Sequence, residues 1–188
     1  MTRLIGLWGY ASAGKDEAAR ALVEDGWRRD AIADRVRAGL LALNPLIYTA
    51  SFEAGQYERL SDVVRDFGWD NAKRSFREVR ELLQRFGTEA GRAIHGENVW
   101  IDALMRGWHA AGAPPTVITD VRFPNEAAAI EAAGGITVAI TRPGVEPANG
   151  HASETALGLD SWLFDHLIDN TGTVADLHAE IRKVAARA

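Results

Sequence analysis

Residues 9–16, Gly9-Tyr10-Ala11-Ser12-Ala13-Gly14-Lys15-Asp16, decide the fold of this chain. The apolar run at 3–8, Arg-Leu-Ile-Gly-Leu-Trp, suits a buried strand, and the stretch from Glu17 suits a helix. The spacing G-x-x-x-x-G-K between strand and helix is that of a phosphate-binding loop. Glycines let successive N–H groups turn inward, the helix N-terminus adds a positive dipole, and Lys15 supplies a point charge.

Asp16 departs from the general pattern, because a Ser or Thr hydroxyl usually follows the lysine of such loops. A carboxylate can still bind Mg²⁺, which prefers hard oxygen ligands. A negative charge beside phosphates is tolerable when a cation lies between them. We therefore predict that Asp16 contributes to holding the Mg²⁺ of a bound nucleoside triphosphate.

The bulk composition predicts one globular domain over residues 1–188, with 47% hydrophobic and 25% charged residues. A net charge of −5 argues against a protein that binds nucleic-acid polymers. The chain has no cysteine, and it carries neither a signal-peptide pattern nor an apolar run of membrane-spanning length. We therefore expect a cytoplasmic protein that makes no membrane contact.

Strand and helix patterns alternate along the chain, which predicts an α/β fold with a mainly parallel sheet flanked by helices. A helical insertion is predicted at about 58–111, with a break at Gly87-Thr88, and residues 44–57 are predicted to be a loop. The other predicted strands lie at 26–33, 116–120, 136–140 and 163–169. Because ligands bind at the carboxyl ends of parallel strands, the phosphate loop, Asp120, Arg122, Arg142 and Asn170 should share one sheet edge.

Asp120 ends a β-branched run, where a metal-associated or acceptor-orienting carboxylate is expected beside a phosphate loop. Arg122 lies two residues further and could clamp a phosphate through two hydrogen bonds. The alternative is a surface Asp–Arg pair at a strand end.

Arg142 opens a polar, lid-like loop at about 142–156 that could close over a transferring phosphoryl group and exclude water. The alternative for Arg142, as for His151 within the same loop, is an exposed loop residue. From pattern alone, Arg37 and Arg80 are typical of solvated helix faces, and Trp100 could belong to the core.

The motifs taken together resemble the bacteriophage deoxynucleoside monophosphate kinases, P-loop enzymes that transfer the γ-phosphate of ATP to a dNMP. The resemblance covers nearly the whole chain and depends on the order and spacing of its motifs, including an Asp after the lysine. Those motifs are Gly-x-x-x-x-Gly-Lys-Asp at 9–16, Val79-Arg80, Leu82–Glu89, Val99-Trp100, Asp120-Val121-Arg122, Arg142-Pro143-Gly144, His151-x-x-Glu154 and Asp169-Asn170-x-Gly172.

The resemblance implies roles for particular residues, with Mg²⁺ as cofactor and ATP as co-substrate. It implies a catalytic group consisting of Lys15, Asp120, Arg122 and Arg142. The implied ATP-binding residues are Ala13, Gly14, Lys15, Asp16, Glu17 and Ala18. The implied dNMP-binding residues are Arg37, Arg80, Gly87, Thr88, Trp100, Arg122 and His151. Glu17 departs from the family, where a Thr is usual.

Two other functions fit the same residues. One is a P-loop kinase for another small acceptor, such as dephospho-coenzyme A or a nucleoside, which would need the loop and Asp120 but different pocket arginines. The other is a nucleotide-binding protein without transfer activity. For the dNMP kinase, the expected partners are small-molecule nucleotides, ATP and a dNMP, with no nucleic-acid polymer and no membrane. The helical stretch carries enough apolar surface for a homodimer.

Overall fold

The computed structural model describes residues 3–49, 56–146 and 164–188, which form two compact units. The first unit comprises Met1–Ile32 and Ile101–Ala188, and the second comprises Ala33–Trp100. Each unit has its own apolar core. Within the described ranges, no helix combines the length and the apolar character needed to cross a membrane.

The first unit is built on a five-stranded sheet in the order β2-β5-β1-β6-β7, and every neighbouring pair is parallel. Its strands are β1 (Leu4–Trp8), β2 (Arg28–Asp30), β5 (Thr116–Ile118), β6 (Ile136–Thr141) and β7 (His166–Asp169). All five residues of the central strand β1 are buried, as expected for a parallel sheet covered on both faces. Because all strands point the same way, their carboxyl ends share one edge.

Helices cover this sheet, and those that precede its last strand connect its strands. They are α1 (Lys15–Glu24), α7 (Pro124–Ala132) and α8 (Val174–Ala185), and α6 (Val99–Ala110) enters this unit at Ile101. Helix α1 packs against α8, and the buried faces of both helices join the strands in one apolar cluster. This arrangement confirms the predicted α/β fold with its mainly parallel sheet.

The second unit combines helices with a small antiparallel hairpin. After α2 (Ile32–Leu43), the hairpin strands β3 (Leu46–Thr49) and β4 (Gln56–Arg59) pair, and helices follow. These are α3 (Leu60–Ser75), α4 (Arg77–Gln84), a π-helix (Arg85–Arg92), α5 (Ala93–His95) and the first residues of α6. Their core contains Leu40, Ile47, Leu60, Val63, Ala72 and Val79.

The prediction of a loop over residues 44–57 was wrong for the strands β3 and β4. In β3 the side chains alternate, with Leu46 and Tyr48 exposed and Ile47 and Thr49 buried. The pattern is that of a half-buried strand, but it is only four residues long and follows the helix-stopping pair Asn44-Pro45. The pairing with β4 supplies the hydrogen bonds that make it a strand.

The predicted helix break at Gly87-Thr88 was also wrong, because the π-helix continues through both residues. The interruptions lie on either side, at Gly68, which has a φ of 69°, at Phe76, which is extended, and at Gly96, which has a φ of 95°. Tertiary contacts override the low helix propensity of glycine here. The indole Nε1 of Trp100 donates a hydrogen bond to the carbonyl of Gly87 at 2.8 Å and stabilises this turn.

Candidate active site

The loop between β1 and α1 has the backbone geometry of an anion-binding turn. Gly14 has a φ of 113°, in the region that favours glycine. A Cβ on Gly9 would collide with the backbone carbonyl oxygen of Ile140, so no side chain fits there. The loop therefore needs both glycines, one for its conformation and one for its close approach to β6.

Lys15 directs its ammonium group back over this loop. Its Nζ atom donates hydrogen bonds to the carbonyl oxygens of Gly9 at 2.5 Å and Tyr10 at 2.8 Å. The side chain is half-buried, and the positive charge is held at the first turn of α1. Phosphate groups cradled by this loop would meet both a cation and the positive end of a helix dipole.

One pocket of the first unit brings Lys15 together with two predicted residues from the end of β5. Its lining consists of Trp8, Gly9, Tyr10, Ala11, Lys15, Asp120, Val121 and Arg122. Strand β5 lies directly beside β1, so the residues after both strands meet at one edge of the sheet. The pocket joins a phosphate-binding loop, a carboxylate and a guanidinium group, which is the chemistry that phosphoryl transfer requires.

Asp120 has a second contact, at the start of α2. Its Oδ1 atom accepts a hydrogen bond from the N–H of Ile32 at 2.7 Å. The carboxylate thus satisfies one of the unpaired N–H groups of the first turn of α2. This bond orients the Asp120 side chain at the edge of the pocket.

Glu126 supports the backbone beside Arg122 and was not singled out from the sequence. Its Oε2 atom accepts hydrogen bonds from the N–H groups of Arg122 at 2.7 Å and Phe123 at 3.1 Å. The residue is 2% exposed and lies in the first turn of α7. The available sequence signal was an acid at the third position of the helix that Pro124 begins, because the side chain of such an acid accepts a hydrogen bond from the N-cap N–H.

Of the other residues implied to bind ATP, some can contact the nucleotide through their backbone alone and others through their side chains. Ala13 and Ala18 are buried, so they can reach a nucleotide only through their backbone. The Asp16 side chain is 85% exposed, and its Oδ1 atom lies 3.6 Å from a guanidinium nitrogen of Arg29 on β2. The Glu17 carboxylate accepts a hydrogen bond from Arg20 and lies 2.8 Å from Nε2 of His178 on α8.

The pKa of Glu17 is lowered from its ordinary value, chiefly by the hydrogen bond from the Arg20 guanidinium and further by His178, although desolvation acts in the opposite direction. Glu17 therefore remains ionised at neutral pH. Its carboxylate connects the first turn of α1 to α8, which gives Glu17 a structural role.

Arg142 is exposed just after β6, at the same sheet edge as the phosphate loop. Of the predicted lid-like loop at 142–156, the structure describes residues 142–146. His151 lies outside the described residues.

In the second unit, Gly87, Thr88 and Trp100 form one local group through the bond from Trp100 to Gly87. The indole ring also packs against Gly91 and lies 5.6 Å from the ring of Phe86. Thr88 and Arg80 are exposed, and Arg37 is half-buried. The Arg37 guanidinium pairs with Asp34 at 2.8 Å and lies 5.8 Å from the centre of the Trp69 ring.

Among residues 3–49, 56–146 and 164–188, no group of three His, Cys, Asp or Glu side chains is arranged to hold a metal ion. This does not conflict with the Mg²⁺ chemistry of kinases, because that ion is held by one or two carboxylates together with substrate phosphates. Asp120, in the same pocket as Lys15, is a donor of the required kind.

A parallel sheet whose central strand leads through G-x-x-x-x-G-K into a helix is the fold of the P-loop nucleotide-binding proteins, a class that includes the P-loop kinases. A family model described as deoxynucleotide monophosphate kinase matches residues 49–181, more than half of the chain. The chain therefore belongs to the deoxynucleotide monophosphate kinase family, and the predicted family is confirmed.

Two curated relatives carry the same activity in their names. One, from Acanthamoeba polyphaga mimivirus, is provisionally named a deoxynucleotide monophosphate kinase; it is 29% identical over 95% of this chain and 93% of its own length. The other is a deoxynucleoside-5'-monophosphate kinase of Escherichia phage T5, 26% identical over 67% of this chain and 70% of its own. The predicted reaction class, an ATP-dependent dNMP kinase, is thereby confirmed.

Solved structures agree on the fold. TT1252 from Thermus thermophilus superposes with a TM-score of 0.53 at 17% identity, covering 98% of this chain and 96% of its own. A dephospho-CoA kinase from Campylobacter jejuni superposes with a TM-score of 0.51 at 15% identity, covering 100% and 97%. At such identities the likeness concerns the fold alone, so it does not favour dephospho-coenzyme A as the acceptor.

Proposed function

We propose that this dNMP kinase binds the ATP triphosphate in the loop at residues 9–14 and transfers its γ-phosphate within the pocket beside Asp120 and Arg122. The observation that carries the proposal is that Lys15, Asp120 and Arg122 line a single pocket. Ala13, Gly14, Lys15, Asp16, Glu17 and Ala18 form the proposed ATP-binding segment.

The proposed mechanism depends on positioning and on charge. Lys15 and Arg122 neutralise the negative charge that spreads over the transferring phosphoryl group, and Arg142 approaches from the lid-like loop. The acceptor oxygen of a dNMP is already anionic at neutral pH, so the reaction requires no general base. Glu126 keeps the Arg122 backbone in place through its two hydrogen bonds.

Asp120 and Asp16 are the proposed carboxylates for Mg²⁺. A Mg²⁺ ion held by these carboxylates would offset the negative charge of the phosphates. Asp120 fits this role because it shares the pocket with Lys15. Asp16 follows Lys15 on the first turn of α1, and its contact with Arg29 offsets part of its charge.

The acceptor dNMP is proposed to bind through the helical insertion at about 58–111 together with α2. Arginines neutralise the monophosphate, while the Gly87-Thr88 segment offers backbone groups and a hydroxyl to the sugar or base. The Trp100 indole N–H is engaged with Gly87, which supports a role in shaping this segment. The proposed residues are Arg37, Arg80, Gly87, Thr88, Trp100, Arg122 and His151.

A coupled ADP-release assay with ATP–Mg²⁺ against each dNMP and NMP singly tests the proposal. We expect turnover with one or more dNMPs, and a loss of about 100-fold or more in kcat/KM for Lys15→Ala and for Arg122→Ala. Lys183→Ala and Arg65→Ala are matched controls, because both cations form exposed pairs within surface helices. Intact ATP binding without turnover on any monophosphate would contradict the proposal.

The Mg²⁺ role of Asp16 has a separate test. In Asp16→Ala, the Mg²⁺ concentration for half-maximal turnover should rise about tenfold or more, because a ligand or its support is removed. Arg29→Ala is the control, since it removes the ion pair and leaves the carboxylate. An unchanged Mg²⁺ requirement in Asp16→Ala would exclude Asp16 from the metal site.

A homodimer and a cytoplasmic location complete the proposal. Exposed Leu43, Leu46 and Tyr57 supply apolar surface in the second unit that supports self-association. Light scattering on the full chain distinguishes a monomer from a dimer.

A further inference from the structure

Asn170, which directly follows β7, connects the last strand of the sheet to the phosphate loop. Its side-chain Nδ2 donates a hydrogen bond to the carbonyl oxygen of Ala13 at 2.9 Å. Its backbone N–H donates to the carbonyl of Thr141, at the end of β6, at 2.8 Å. Asn170 is thus anchored by β6 and β7, while its side-chain amide holds the phosphate loop, 157 residues earlier in the chain.

The contact determines the orientation of one peptide unit of the loop. The described residues contain no cis peptide bond, so the carbonyl of Ala13 and the N–H of Gly14 point in opposite directions. Because Asn170 holds the carbonyl, the Gly14 N–H is directed to the opposite side of the loop. This matters because the glycine after Ala13 would otherwise permit several orientations of that peptide.

Asn170 also occupies the space beside Gly14. A Cβ on Gly14 would lie 2.6 Å from Asn170 Nδ2 and 3.1 Å from a methyl carbon of Leu177 on α8. The amide therefore packs directly on the loop at its glycine. The N–H of Gly14, at the start of α1, belongs to the group that an anion-binding loop turns toward phosphate.

We propose that Asn170 is a positioning residue that holds the Ala13–Gly14 peptide so that the Gly14 N–H donates to the phosphates of the nucleotide. This inference depends on the proposed function only in that the loop binds phosphates. Asn170 acts through Ala13 and contributes to the affinity for the triphosphate. It makes no contribution to binding of the nucleotide base.

The isosteric variant Asn170→Asp provides the sharpest test. It keeps the shape but loses the donor, and its negatively charged carboxylate faces the partly negative carbonyl oxygen of Ala13. Asn170→Ala removes the donor without adding a charge, so it separates the loss of the hydrogen bond from charge repulsion of the phosphates, and it also serves if the Asp variant does not fold. Thr171→Ala, at the exposed neighbouring position, is the matched control.

Calorimetric titration of the full chain with Mg²⁺–tripolyphosphate and, separately, with adenosine distinguishes phosphate from base effects. We expect both Asn170 variants to bind tripolyphosphate about tenfold or more weakly, the effect of misaligning one charge-assisted hydrogen bond. Adenosine affinity and the KM for the dNMP should stay within about twofold of the unmodified protein.

Three results would overturn the inference. Loss of adenosine affinity with normal tripolyphosphate binding would make Asn170 a base contact. Unchanged binding of both would make the bond to Ala13 irrelevant, and equal losses of both with a lower Tm would make it merely structural. Because no arm of the titration requires turnover, tripolyphosphate binding that depends on Asn170 in a protein inactive on dNMPs would refute the proposed acceptor and leave this inference intact.

Discussion

Lys15, Asp16 and Glu17 follow one another in the chain, and the structure gives each side chain a different partner. Lys15 bonds to carbonyls of the phosphate loop, Asp16 lies near Arg29 of β2, and Glu17 bonds to Arg20 and His178. Successive residues of a helix point about 100° apart, so neighbours in sequence meet different surroundings. Adjacency within the motif therefore does not imply a shared function.

Glu17 gives a prediction for stability against pH. Its pKa in the folded protein is lowered from 4.5, mainly by Arg20, so the ionised form stabilises the fold above that value. The stability advantage of the unmodified protein over Glu17→Gln should be constant near neutral pH. It should disappear as the pH falls from 4.5 through the lowered pKa. Urea unfolding of both proteins between about pH 3 and pH 7 measures the difference.

Arg20→Met provides the control for this prediction. Arg20 is the largest cause of the lowered pKa of Glu17. The difference in the free energy of unfolding between the protein with Glu17 and Glu17→Gln should therefore be smaller in the Arg20→Met background. A difference in the free energy of unfolding that is independent of pH, or unaffected by the loss of Arg20, would assign the stabilisation to contacts other than this ion pair.

At the scale of elements, the π-helix at 85–92 depends on Trp100. The indole N–H bonds to Gly87, and the ring occupies the place where a side chain on Gly91 would be. Mid-helix π turns occur often at functional segments, and this one contains the predicted acceptor residues Gly87 and Thr88. The contact makes Trp100 a support of the segment in the second unit.

Gly91→Ala should destabilise this segment. Its Cβ would lie 2.5 Å from a ring carbon of Trp100, and a rigid indole cannot move aside without losing its bond to Gly87. Such overpacking costs about 1–3 kcal/mol, of which better helix propensity offsets up to about 1 kcal/mol. Urea unfolding followed by circular dichroism measures the free energy of unfolding.

Gly87→Ala is the matched control for stability alone. A Cβ there would lie 3.4 Å from a methyl carbon of Val36, an ordinary van der Waals contact, so the variant should be neutral or slightly more stable. Equal stability of Gly91→Ala and the unmodified protein would contradict the packing role of Trp100.

At the scale of the whole molecule, the first unit carries the residues proposed to bind ATP, and the second carries most of the residues proposed to bind the dNMP. The first carries the phosphate loop, Asp120 and Arg122, and the second carries Arg37, Arg80 and the Gly87-Thr88 segment. Each unit has a separate apolar core. Binding of ATP and binding of the dNMP should therefore slow hydrogen exchange in different parts of the chain.

Hydrogen exchange provides the measurement. A non-hydrolysable ATP analogue should slow exchange in peptides that cover residues 9–16, and a dNMP alone should slow exchange at 80–100, by about tenfold or more at saturation. The corresponding deoxynucleoside is the control, because without its phosphate it cannot engage the arginines. Protection by the dNMP confined to the first unit would contradict the proposed acceptor residues.

The sequence by itself determined the α/β class, the phosphate loop, and the gathering of Asp120 and Arg122 beside Lys15. These features follow from short-range patterns, since a buried strand, a glycine-rich turn and a helix each depend on neighbouring residues, and parallel strands align their carboxyl ends.

Only the tertiary structure decided the hairpin, the continuous π-helix, and the bond from Asn170 to the phosphate loop. The hairpin needs a partner strand, and the π-helix needs Trp100 to bond across 13 residues. Asn170 acts on a backbone group whose position no local pattern gives, because it reaches Ala13 across 157 residues. The bonds that Glu126 accepts from Arg122 and Phe123 are local and follow the capping pattern at the start of α7. Contacts between residues that are distant in the chain depend on the packing of whole elements against one another, so they can be identified only once the chain is folded.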